Sequence, residues 1–169
     1  MTRGVRNVRV GGMPASNLLV LAFLIGFLSG LRSLTPIAVT AWGVHLGLLT
    51  LPHALAWVGT IPGAAIFSLG AIAELIADKL PTTPARTELP GFAARMVMGG
   101  LAGLCIAAAA GHAMLAGAMV AITGALVGTF GGYHARMRLT KAWPMLGFGV
   151  ALLEDFVAIG GALLVVTRF

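Results

Sequence analysis

The sequence is poor in charge and poorer still in acid. Of its 169 residues only 9% are charged, and only five are acidic: Glu74, Asp78, Glu88, Glu154 and Asp155. A soluble domain carries about 25% charged residues. This chain cannot build a water-facing surface of that kind. Hydrophobic residues make up 59% of it, the mean hydropathy is +0.99, and no polar stretch is long enough to form a soluble domain. The single cysteine, Cys105, excludes an intrachain disulfide and lies in an apolar run, where a small packed side chain is its ordinary role. Histidine is equally sparse. His45, His53, His112 and His134 show no His-x-x-x-His or Glu-x-x-His spacing, so neither a metal nor a cofactor is expected. GxSxG, Walker and HExxH motifs are absent, and the reading leans away from an enzyme.

What remains is apolar sequence in six pieces: Asn17–Leu31, Thr35–Leu51, Ala54–Ile76, Phe92–Ala110, Met114–Gly131 and Pro144–Val166. A spanning helix needs roughly 20 residues, and four of the pieces approach that. The first two are short and separated by Arg32, Ser33 and Leu34, with Pro36 disfavouring a continuous helix. The formal charge of +6 is confined to short segments beside these runs, without an aromatic-basic patch, so nucleic acid is not an expected partner. The partner is the lipid bilayer. Arg3, Arg6 and Arg9 mark residues 1–16 as a basic tail, followed by one transmembrane domain over residues 17–169.

The positive-inside rule places the tail, the Asp78–Arg95 connection and the Gly132–Lys141 connection together on the cytoplasmic side. Residues 17–77 then cross an even number of times, which makes Asn17–Leu51 a single broken element. The expected fold is an all-α polytopic bundle of about five crossings; the alternative, six crossings, would put the Asp78–Arg95 connection outside despite its charges. Its 24 glycines include the pairs Gly26/Gly30, Gly99/Gly103 and Gly124/Gly128, which suit close helix packing within the chain or between copies in a homo-oligomer. Gly26–Arg32 and Gly128–His134 also share a faint pattern, and the five-crossing path runs them in opposite directions.

The chemistry lies in the few charges at membrane depth. In a helix rising about 1.5 Å per residue, Glu154 and Asp155 sit about 15 Å from the start of the last apolar piece. An ionised Asp at a helix centre costs about 2.5–3.5 kcal/mol even on the lenient insertion scale, so such residues need partners. Adjacent positions are about 100° apart on a helix, so the two acids cannot point the same way. Glu74 and Asp78 share a face at the end of the third piece, Ala54–Ile76. Arg32 at the chain break, with Ser33 and Thr35 beside it, is the natural counter-charge. Lys79, Arg86, Arg136 and Tyr133 complete a set of supporting or anion-binding candidates.

Gly30-Leu-Arg-Ser-Leu-Thr-Pro36, the segment Glu74–Thr87, Gly128–Tyr133 with Arg136, and Leu153-Glu-Asp-Phe-Val-Ala-Ile159 together resemble a bacterial multi-span membrane-protein family, the domain of unknown function 4126. The resemblance implies a protein of the bacterial inner membrane and brings no activity with it. The tail is expected to be cytoplasmic. Three functions follow from the residues. The first is a small transporter or channel-like permease for a proton, small cation or polar solute, with Glu154, Asp155, Glu74, Asp78 and Arg32 at its site. The second is a membrane enzyme or lipid-phosphate binder using Arg32, Lys79, Arg86 and Arg136. The third is an assembly subunit whose ion pairs only orient helices.

Overall fold

The computed structural model describes residues 13–78, 88–142 and 147–169, without the side chain of Phe148. It is all helix among those residues: α1 (Ala15–Leu31), α2 (Thr35–His45), a 3-10 helix (His53–Gly59), α3 (Ile61–Ala77), α4 (Leu89–Ala109), α5 (Met114–Ala142) and α6 (Gly147–Val166). Helices α4, α5 and the Gly149–Val166 part of α6 are each long and apolar enough to cross a membrane. The 3-10 helix and α3 are together long and apolar enough for a fourth, as a pair bent by 54°. With the 17-residue α1 these are five long apolar elements, in line with the expected bundle of about five crossings, and the 11-residue α2 adds a shorter sixth pass. Its outer face carries Val20, Ile66, Leu69, Leu115, Phe156 and Leu164, large apolar side chains that suit lipid.

Proline and glycine set the helix ends. Pro36, Pro62 and Pro90 each stand in a helix's first turn, where the missing N–H costs nothing. Helices α2 and α4 end on Gly47 and Gly111, whose φ values of 76° and 71° are left-handed. The carbonyls of Gly43 and Ala107 accept from the N–H groups of Leu48 and His112, five residues on, as a Schellman ending requires.

Helix α1 is central, packed on α5 most extensively and then on α4, α6 and α2. The α1–α5 approach is backbone to backbone. A Cβ on Gly26 or Gly30 would enter the Ala121 or Ala125 carbonyl of α5, and one on Gly124 or Gly128 would enter Phe23 or Phe27 of α1. Both glycine pairs are thus consumed within the chain. The register rises together on the two helices, so they run parallel. This corrects the expectation that Gly26–Arg32 and Gly128–His134 oppose each other.

The break after α1 falls where Pro36 predicted, but α2 does not extend α1. It folds back. Along α6, Asp155 meets Arg32, Gly161 faces Leu28 and Val166 faces Gly43. Thus α2 descends beside α1 toward α1's own start, and α3 climbs back against it, with Trp42 Nε1 donating to Ser68 Oγ at 2.9 Å. At 11 residues α2 is about 16 Å long, half a bilayer core. The consequence is topological. Met13 lies against the α4–α5 turn, its carbonyl 3.0 Å from His112 Nε2, whereas the end of α3 lies beside Arg32 at the opposite end of the bundle. Met13 and the end of α3 therefore do not share a side, and the even-crossing argument for residues 17–77 fails. Below, these are the entry end and the arginine end.

Candidate functional site

Arg32 is fully buried, with extended backbone at φ −139° and ψ 111° between α1 and α2. That conformation ends α1 and turns the side chain inward. Its Nη1 pairs with Asp78 Oδ2 at the end of α3, and its Nη2 lies 2.6 Å from Asp155 Oδ1 on α6. One planar guanidinium thereby joins the broken helix to two others. Asp78 stands at the C-terminus of α3, where the helix dipole disfavours a negative charge, and Arg32 offsets that.

Glu74, one turn before Asp78, does something different. Its Oε1 accepts from Ser33 N at 2.8 Å and Ser33 Oγ at 2.6 Å, and its Oε2 accepts from Leu34 N at 2.9 Å. Ser33 and Leu34 immediately precede α2, so a carboxylate from α3 caps the positive end of α2. Thr35, also buried, has a hydroxyl without a hydrogen-bond partner among the described residues.

Glu154 turns away from its neighbour, as the 100° offset demands. Its Oε2 is 3.6 Å from Arg136 Nη1 on α5. The pair stands in the wall of a groove of about 400 Å³ between α1, α5 and α6, otherwise lined by apolar side chains such as Phe27, Leu31, Leu153 and Val157. The structure therefore divides the expected acidic set. Arg32, Asp78, Asp155, Glu74 and Ser33 form one cluster; Glu154 and Arg136 form another. Tyr133 packs edge-on against His134, with ring centres 5.5 Å apart. Lys79 and Arg86 lie outside the described residues.

The sequence marks Arg95 only as the end of the basic Asp78–Arg95 connection. Arg95 is buried, 4% exposed. Gly99, one turn on, faces Ser29 of α1, which puts Arg95 near the level of Arg32. The signal was its spacing of four from Gly99 and eight from Gly103, which sets it on the packed face of α4.

Comparison with known proteins adds one match. Residues 19–168 fit the family model Domain of unknown function (DUF4126). The chain belongs to this family. No curated protein and no solved structure matches this DUF4126 chain. The match takes in both charged clusters, and the family's description assigns them no role.

Proposed function

We propose that this DUF4126 protein is a small permease for a proton or small cation, working at the Arg32–Asp78–Asp155 junction. One observation carries the reading: a single buried guanidinium serves carboxylates from two different helices at a break in a third. Ionisable groups at membrane depth are costly and mark ion pathways and proton relays, and broken helices supply the unwound backbone found at transporter sites. A proton or cation that neutralises Asp155 competes with Arg32 for it. The link between α6 and the α1–α2 hairpin then loosens while Asp78 keeps Arg32 attached to α3. Exchange of this kind gives the junction two states that an ion can bias.

The site is in the inner membrane of a bacterium, with the arginine end facing the cytoplasm. Arg95, Arg136, Arg138 and Lys141 belong to helix segments at that end, and in sequence Lys79 and Arg86 fall between α3 and α4. Arg3, Arg6 and Arg9 precede the entry end, and Arg168 follows α6 there. Six basic residues against four favour this orientation. It places the chain's entry outside, opposite to the sequence expectation.

The test is ion flux into proteoliposomes. Asp155→Asn should abolish flux while the protein still purifies as a folded species, and Asp78→Asn should reduce it. Wild-type flux in both variants would overturn the proposal.

A further inference from the structure

The groove that holds Arg136 and Glu154 belongs to neither the Arg32 junction nor the ion path. It opens between α1, α5 and α6 near the arginine end. Its volume of about 400 Å³ falls within the roughly 300–1,000 Å³ of small-molecule sites. Among the described residues its walls are apolar apart from that one ion pair.

Depth decides what can fill it. Helix α5 has 29 residues, or about 43 Å at ~1.5 Å per residue, against ~30 Å of hydrocarbon. Arg136 comes about 33 Å from the start of the helix by the same rise. That is headgroup depth, while Gly131, Leu31 and Phe27 carry the groove inward from there. A charged mouth at the headgroups above an apolar trough has the polarity of a lipid.

The chemistry of the mouth is cationic. Arg136 Nη1 is 3.6 Å from Glu154, beyond the ~2.7–3.2 Å of a hydrogen bond, so its donors are not spent on that carboxylate. The Arg136 side chain is 29% exposed. A guanidinium fork suits a phosphate bidentately. His134, Arg138 and Lys141 lie on the far side of α5 at the same end and add positive potential there.

We propose that this groove binds a phosphate-headed lipid of the surrounding leaflet, its phosphate on Arg136 and one acyl chain between α5 and α6. The structure supplies a clean way to block it. Gly131 lines the groove, and a Cβ there meets nothing within 4 Å. Gly131→Phe therefore fills the trough without the backbone collision that the same change would cause at Gly128.

The experiment uses the full chain, purified and delipidated in detergent, with thermal stability and native mass spectrometry as readouts. Phosphatidylglycerol should raise the Tm and remain bound. Diacylglycerol with the same chains, and inorganic phosphate alone, should do neither. Arg136→Gln should reduce the response to phosphatidylglycerol to that of diacylglycerol. Gly131→Phe should remove it while leaving the unliganded Tm at or above wild type. Arg138→Gln, outside the groove, should keep it. An equal response to diacylglycerol, or a full response in the Gly131→Phe protein, would overturn the site.

Discussion

At the residue scale the fold depends on how few charged side chains it has and on where each is spent. Glu74 accepts three hydrogen bonds through two oxygens. Glutamine offers one acceptor oxygen, and its amide would point a donor at donors. Glu74→Gln should therefore cost about 1–3 kcal/mol, the penalty of a buried unmet donor. Ser33→Ala, which removes one donor and strands none, should cost less, about 1 kcal/mol. Chemical unfolding in detergent orders them, and equal losses would count against the capping role. Arg32 stands higher. Removing one member of a buried pair costs about 3–5 kcal/mol, so Arg32→Gln should fall in that range. Arg32→Lys should recover part of it, because a point charge cannot span two carboxylates as a fork does. The sequence made these residues candidates because acids are so scarce. It could not pair them. Whether Arg32 meets Glu154 or Asp155 depends on how far α6 is rotated against α1, which no local pattern encodes. Only the divergence of the two acids was legible, since helical geometry alone imposes it.

At the element scale the break at Arg32–Leu34 was legible and its direction was not. Pro36 forbids a smooth continuation, yet the same three residues can join two helices as a kink or as a hairpin. Distant contacts decide: Glu74 capping α2, Val166 against Gly43, and Val44 against Gly59. Glycine spacing carried more information. The pairs Gly26/Gly30 and Gly124/Gly128 were visible as packing faces, and they proved to face each other. This predicts a contrast within one helix. Gly128→Leu meets the Phe27 backbone, which cannot yield as a side chain does, and should cost more than the ~1–3 kcal/mol typical of overpacking. Gly131→Leu, three residues on, meets open space and exchanges glycine for a better helix former, worth up to about 1 kcal/mol. Opposite signs of ΔTm are expected. Losses of the same size would mean that α1 and α5 do not interlock.

At the scale of the whole molecule, charge counting and packing disagree about the path of the chain. The positive-inside argument grouped the tail with both basic connections, which is sound only if α2 prolongs α1. Because α2 folds back, α1, α2 and α3 make three passes, and the chain enters at the end opposite Arg136. Cysteine labelling separates the possibilities cleanly, since Cys105 is fully buried and is the protein's only cysteine. On a Cys105→Ser background, single cysteines at Ser16, Gly111 and Thr167 should label from one face of the membrane. Arg138→Cys should label only from the other. Labelling of Ser16→Cys and Arg138→Cys from the same face would break the hairpin at Arg32, and with it the convergence of Asp78 and Asp155. If instead the two groups segregate but Ser16→Cys is reached from the cytoplasm, the packing stands and only the orientation reverses. The lipid site proposed at Arg136 would then face the opposite leaflet.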